Sequence, residues 1–174
     1  MESLLSLFRK QPPAEPVWFF VVDERDVEVR DAHHLASLLA APELKNASLV
    51  LLQRRRAVKR RRSEKQRYEA LGLDLPDYET VGTVDASLYP ELAQVLYTED
   101  DGDEGVLAAE SRGPASKERV ELRAPDGKVF IEPRSHCITR ERALKLFPEF
   151  YKSGQRPTSV EWMTSSEWQD SEGS

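Results

Sequence analysis

The chain has 174 residues, 39% of them hydrophobic and 32% charged, and its formal net charge is −6. This length suits one domain with a real core, and the lone cysteine, Cys137, excludes an intrachain disulfide. Affinity for nucleic acid comes mainly from neutralised phosphates, so the acidic balance argues against a nucleic-acid binder and favours a basic protein partner. No apolar run approaches the roughly 18 residues of a membrane span, so we expect a cytoplasmic protein with no membrane partner.

The order of apolar, proline and acidic segments predicts three parts. We expect residues 1–16 to form a short amphipathic helix and a Pro-rich linker, residues 17–163 a single α+β domain, and residues 164–174 an acidic flexible tail. Within the domain, strands and helices follow one another in a mixed order. This order predicts an α+β fold with a mostly antiparallel sheet and helices packed on one face.

The first half of the domain predicts strands and one capped helix. Val17–Val22 is an apolar run typical of a buried central strand, and Val27–Val29 alternates like a half-exposed strand. Asp31 is able to N-cap a helix that runs to Ala41. Leu49–Gln53 indicates a further strand.

A strongly basic run follows this strand. Its cationic residues are Arg54, Arg55, Arg56, Lys59, Arg60, Arg61 and Arg62. Such a run is able to bind nucleic acid, although it lacks the interleaved aromatic residues that stack on bases. We favour a helix that continues to Leu71 and ends at Gly72, with a solvated basic face that pairs with the acidic remainder of the chain.

The segment after Gly72 predicts little regular structure before an acidic turn. Residues 73–89 contain Pro76 and Gly82 and indicate mostly loop, and Pro90 favours a short helix to Leu96. The acidic turn that follows consists of Glu99, Asp100, Asp101, Asp103 and Glu104. It is a solvated turn, a patch for a basic partner, or a calcium loop, although the spacing lacks the closing glutamate of such a loop.

The C-terminal third predicts a strand at residues 105–109, a hairpin, a helix and a last strand. Val120–Leu122 and Val129–Ile131 form the hairpin around a Pro-Asp-Gly turn. Thr139 is able to N-cap the helix, which Pro148 should kink or split and which a glycine ends. Residues 159–162 predict the last strand.

No catalytic, metal-binding or cofactor-binding constellation stands out. His33 and His34 are consecutive on a helix, whereas a two-ligand metal site needs i, i+4 spacing. His136 and Cys137 point to opposite faces if their segment is extended, so they form no nucleophile–base pair. We therefore predict a packed thiol and a protein that is not an enzyme and needs no metal or cofactor.

The end of the last helix carries a recognisable pattern. It falls on Phe150, Gly154, Arg156, Pro157, Val160 and Trp162. Together with Asp103–Leu107 and the hairpin, this pattern resembles the first-numbered family of polymorphic-toxin immunity proteins, whose members often sit beside nucleic-acid deaminase toxins. The resemblance covers residues 95–162, the N-terminal half is similar only in its order of elements, and the basic run looks like an insertion.

The resemblance implies an immunity protein that binds and neutralises a cognate bacterial toxin. In its favour, an acidic inhibitor is able to occupy the basic groove of a toxin that acts on nucleic acid, and the acidic turn is the candidate contact. The alternative is an accessory protein that binds nucleic acid or ribosomes through Arg54–Arg62. The pattern at the helix end is structural, because a glycine ends the helix and a proline fixes the exit.

Overall fold

A computed structural model describes residues 15–23, 25–58, 62–72, 77–100, 104–109, 118–124 and 127–167. The strands are β1 Val17–Val22, β2 Arg25–Val29, β3 Leu49–Ala57, β4 Tyr78–Leu88, β5 Leu92–Thr98, β6 Val106–Ala109, β7 Arg119–Arg123, β8 Val129–Pro133, β9 Ile138–Thr139 and β10 Glu161–Met163. The α-helices are α1 Ala32–Leu39, α2 Arg62–Ala70 and α3 Arg140–Ser153. The predicted N-terminal helix and most of the predicted tail lie outside these residues.

Most of the described strands form one antiparallel sheet. Its order is β10-β6-β5-β4-β3-β1-β2, and β9 pairs with β5 to complete eight strands. β7 and β8 form a separate antiparallel pair, which is the predicted hairpin. The helices α1 and α3 contact each other, and α3 contacts β4 and β5. The predicted α+β class with a mostly antiparallel sheet is confirmed.

The first hairpin is fixed to the centre of the sheet by a carboxylate. Asp23 lies in the tight turn between β1 and β2 with φ +43°. Its Oδ1 accepts hydrogen bonds from the backbone amides of Ser48 at 3.2 Å and Leu49 at 3.1 Å, and from the Ser48 hydroxyl at 3.0 Å. The turn is therefore tied to the start of β3, and every residue of β1 is paired with a residue of β3.

The loop and short helix predicted between residues 73 and 96 are wrong. The described part of this region consists mainly of the strands β4 and β5, which pair from Thr83 opposite Thr98 to Leu88 opposite Ala93. Their buried positions alternate strictly, with Val84, Ala86 and Val95 all at 0% exposure. Asp, Ser, Ala and Gly have low strand propensity, so the local signal is weak, and pairing with strands on both sides overrides it.

The helix predicted for the start of the basic run is also wrong. β3 continues through Arg54–Arg56 to Ala57, because β1 pairs with it as far as Arg55 and β4 pairs with it from Arg55 to Ala57. The helix α2 begins only at Arg62 and ends before Gly72, whose φ of +66° fits the predicted stop.

The main core lies between α1, α3 and one face of the sheet, called here the inner face. Its largest fully buried members include Phe20 and Leu52 from the sheet and Leu35, Phe147 and Phe150 from the helices. The outer face is the opposite side of the same sheet.

Helix α3 is one continuous element through Pro148, so the predicted split is wrong. Pro148 is exposed, and its missing amide removes only one bond from the helical ladder. The Thr139 hydroxyl accepts from the Arg142 amide at 3.3 Å, which confirms the predicted N-cap. The last strand, β10, starts at Glu161, two residues later than predicted.

Candidate functional site

The described part of the acidic turn is exposed at one end of the sheet. Glu99 and Asp100 follow β5, and Glu104 precedes β6. The Glu104 carboxylate accepts a hydrogen bond from the Ser165 hydroxyl. Asp101 and Asp103 lie outside the described residues, so the calcium interpretation keeps its status as a prediction. Among the residues that the structure describes, no three His, Cys, Asp or Glu side chains come together as a metal site.

The first three arginines of the basic run, Arg54–Arg56, are engaged within the protein, and Arg62 begins α2. Arg54 donates from Nη2 to the Val81 carbonyl at 2.9 Å. The Arg55 guanidinium lies 4.3 Å above the Phe19 ring and pairs with Asp26 at 2.8 Å. Arg56 donates from Nε to Glu79 at 2.8 Å. Lys59, Arg60 and Arg61 lie outside the described residues.

The pattern at the end of α3 builds the join between this helix and β10. Phe150 is fully buried and meets the Trp18 ring edge-on at 5.0 Å. Gly154 has φ +63°, and its amide donates to the Phe150 carbonyl at 2.7 Å. The Trp162 indole donates to the Pro157 carbonyl at 2.7 Å. These contacts are internal, as the sequence argument expects of a structural motif.

Two further members of this pattern differ in exposure. Val160 is 6% exposed and joins the main core. Arg156 is exposed. A partner is therefore able to reach Arg156 but not Val160 without unfolding this join.

Sequence reasoning missed the carboxylate that holds this join in place. Glu149 accepts hydrogen bonds from the Thr158 hydroxyl at 3.2 Å and the Ser159 amide at 3.3 Å, and also from the Thr158 amide and the Ser159 hydroxyl. Burial acts to raise the pKa of Glu149, but the hydrogen bonds outweigh it and lower this pKa. Glu149 precedes its partners by about ten residues, so only the helix–loop geometry reveals the role.

A second missed contact ties α3 to two loops. The Arg140 guanidinium donates to the Tyr89 carbonyl at 2.9 Å and to the Lys45 carbonyl at 3.3 Å. These bonds link the first turn of α3 to the β4–β5 turn and to the 3-10 helix at Pro42–Lys45. The helix is therefore fixed at both ends.

The histidine–cysteine pair is buried. Arg134–His136 form a 3-10 helix, and the backbone of Cys137 directly after it is extended. Burial raises the pKa of the Cys137 thiol to about 11. A thiol with such a pKa is protonated at neutral pH and is a poor nucleophile. Cys137 is therefore the packed thiol that the sequence predicted.

The outer face carries a row of directly paired residues that sequence reasoning did not single out. In register across the sheet, the row is Val21, Leu51, Asp85, Leu96, Leu107 and Met163. Val21 and Leu107 are buried, and the three residues between them are half-buried. Desolvation by burial raises the pKa of Asp85. The outer face is thus apolar in its middle, with one carboxyl group at the centre.

The fold and these surfaces define an α+β protein with an antiparallel sheet, a main core on one face of it and exposed carboxylates at one end. The model of the family described as Immunity protein Imm1 matches residues 51–164. The chain therefore belongs to the Imm1 immunity protein family, and this membership suggests toxin immunity. No curated protein matches the chain. None of the helices in the described ranges is long and apolar enough to cross a membrane.

The family match is wider than the segment that carried the resemblance in the sequence. It begins in β3 rather than near residue 95, so it includes β4 and the position of the basic run. The sequence analysis expected residues 51–94 to be similar to the family only in their order of elements. That expectation is wrong, because the family model matches these residues as well. In the structure, β3 and β4 pair along most of their length, and they lie in the middle of the strand order.

Proposed function

We propose that this protein binds a cognate bacterial toxin in the cytoplasm and neutralises it by covering the active site of the toxin. The observation that carries this proposal is the match of the Imm1 family model over residues 51–164. Proteins of such families are generally not enzymes, so binding alone is the proposed activity. No cofactor is part of this mechanism.

Charge supports a toxin that acts on nucleic acid. A groove that binds phosphates is basic, and long-range attraction speeds its encounter with an acidic inhibitor. The chain carries a net charge of −6, and Glu99, Asp100 and Glu104 are exposed at one end of the sheet. Arg55 and Arg56 are each paired with a carboxylate, so they offset little of this field.

The alternative, nucleic-acid binding through Arg54–Arg62, receives little support from the described arginines. Arg54, Arg55 and Arg56 already make internal hydrogen bonds or ion pairs. A phosphate would have to replace those partners. The alternative rests on the remaining members of the run.

The direct test is co-expression with the product of the neighbouring gene. We expect growth rescue by this chain and co-purification of the two polypeptides as a stable complex. The control is the Phe150→Ala variant, which removes a fully buried ring and should lose rescue together with its fold. A folded wild-type chain that neither rescues growth nor binds this product would contradict the proposal, and retention on RNA at low salt would favour the alternative.

The acidic turn is tested by association kinetics. We expect Glu99→Gln, Asp100→Asn and Glu104→Gln together to slow association and to flatten its dependence on salt, because the steering field is weakened. The matched control is Glu43→Gln, Glu69→Gln and Glu91→Gln, which changes the net charge equally at exposed positions elsewhere. Equal on-rates for the two triple variants would show that net charge, and not the turn, steers the toxin.

A further inference from the structure

The row across the outer face brings together residues that are far apart in the sequence. Leu51 on β3 lies directly opposite Asp85 on β4, and Asp85 lies opposite Leu96 on β5. Residues directly opposite on neighbouring strands share a face, and alternate residues along a strand change face. Leu52 and Val84, the neighbours of these residues in sequence, lie in the main core. The row therefore faces away from α1 and α3.

Asp85 is half-buried, and among the described residues its carboxylate finds no partner. It makes no hydrogen bond or ion pair with any residue in the described ranges, and burial is the cause of its raised pKa. Two other carboxylates on the sheet do have cationic partners, Asp26 with Arg55 and Glu79 with Arg56. A polar group held away from water without a partner destabilises a fold.

The residues around Asp85 indicate which kind of partner group would bind there. Leu51 and Leu96 flank the carboxylate across the sheet, and both are half-buried, so a part of each side chain stays open to a partner. Such a surface complements an apolar segment that carries one cation, since the cation meets the carboxylate and the apolar groups bury each other. The same surface meets the exposed acidic turn, because Thr98 on β5 directly precedes Glu99.

We infer that the outer face is the surface that docks the toxin, and that it receives a lysine or arginine of the toxin on Asp85 between apolar side chains. This inference rests on the proposed function and names the surface and the chemistry of the partner. The contact joins a half-buried charge pair to an apolar surround, the arrangement in which truncation of one partner weakens binding most.

A second copy of the chain fits this surface poorly. A twofold dimer places the same patch against itself, so the carboxylate at the centre of one copy faces the carboxylate of the other. Both copies also carry a net charge of −6. Like charges directly opposed in an apolar setting repel, whereas a basic toxin supplies the missing cation.

The test uses two substitutions at Asp85 and a matched pair elsewhere. Asp85→Asn keeps the size of the side chain and removes its charge, and Asp85→Lys reverses the charge. Asp77→Asn and Asp77→Lys make the same changes at an exposed position that precedes β4. We expect binding to the product of the neighbouring gene to weaken about tenfold or more in Asp85→Asn and further in Asp85→Lys, with about twofold change or less in the Asp77 variants.

A measurement on the free chain keeps the inference testable even if Asp85→Lys folds poorly. The Asp85 carboxyl carbon is titrated by NMR in the wild-type full chain, first alone and then in the complex. We expect a raised pKa in the free chain and a lowered pKa in the complex, because a cation arrives there. A lowered pKa in the free chain would show that a cation of this chain already occupies the site and would overturn the inference.

The outcomes separate this inference from the proposed function. If the wild-type chain binds and rescues while Asp85→Asn and Asp85→Lys bind equally well, the outer face is not the docking surface and the proposed function stands. A wild-type chain that is a dimer, and that becomes a monomer in Asp85→Lys, would assign the face to a second copy and overturn the inference. If the wild-type chain neither binds nor rescues, both fall together.

Discussion

The two faces of the central sheet use the same strands for different purposes. On the inner face, Leu52 and Val84 are fully buried against α1 and α3. On the outer face, their sequence neighbours Leu51 and Asp85 remain half-buried, and the Asp85 carboxyl group has no hydrogen bond or ion pair with any residue that the structure describes. The difference teaches that packing against the helices, and not membership of the sheet, decides which of two neighbouring residues joins the main core.

The largest expected effect breaks the inner face. Phe150 is fully buried and meets the rings of Trp18 and Tyr97 edge-on at 5.0 and 5.7 Å. Phe150→Ala should lower the free energy of unfolding by about 3–5 kcal/mol, whereas Leu96→Ala on the outer face should cost about 1 kcal/mol. Urea unfolding checks both. Equal losses would show that the outer face is covered as completely as the inner face.

A smaller effect is expected where the inner face ends, at Gly154. Its φ of +63° disfavours any side chain, and an added Cβ would lie 2.5 Å from the Arg54 guanidinium. Gly154→Ala should therefore cost about 1–2 kcal/mol in the free energy of unfolding. Gly72→Ala is the control, because Gly72 has a nearly equal φ of +66° with open space around it.

The contact with Arg54 is separated from the backbone strain by a double variant. Arg54→Ala removes the guanidinium that a Cβ at Gly154 would meet. If the contact matters, Gly154→Ala should cost less in the Arg54→Ala background than in the wild-type chain. The same cost in both backgrounds would mean that φ alone decides the effect.

The sequence predicts the elements whose signals are local. Asp31 caps α1 by accepting from the His34 amide at 2.8 Å, and Thr139 and Gly154 bound α3, because caps depend on a few adjacent residues. β4 escapes prediction because Gly82 and Asp85 weaken its local pattern, and the strand is stabilised by partners far away in the chain.

The candidate surfaces divide in the same way. The acidic turn is a contiguous run, so composition alone reveals it. The row around Asp85 joins residues from several strands, and only the registers of β3, β4 and β5 place Leu51 and Leu96 beside the carboxylate. No periodicity within one strand carries that information, which is why the sequence pointed to the turn and missed the face.

The smallest expected effect on stability concerns the outer face and its dependence on pH. Burial raises the pKa of Asp85 in the folded chain above its ordinary value of 3.8. Between 3.8 and the raised pKa, Asp85 is more fully protonated in the folded state than in the unfolded state, so the contribution of Asp85 to stability should fall as pH rises through this window. Above the window the ionised carboxylate destabilises the fold.

Asp85→Asn removes this titration, so the variant should be more stable than the wild-type chain at neutral pH, and the difference should shrink as pH falls towards 3.8. Among the described strand residues, the other charged groups on the outer face are Arg55 on β3, Asp26 and Glu28 on β2, and Glu161 on β10. They are present in both chains, so their titration cancels in the difference. Thermal unfolding of both chains between neutral pH and pH 3.8 measures the difference in stability. If Asp85→Asn is less stable than the wild-type chain at neutral pH, then Asp85 stabilises the free fold. The proposed contrast between a stabilising inner face and a destabilising carboxylate on the outer face would then be wrong.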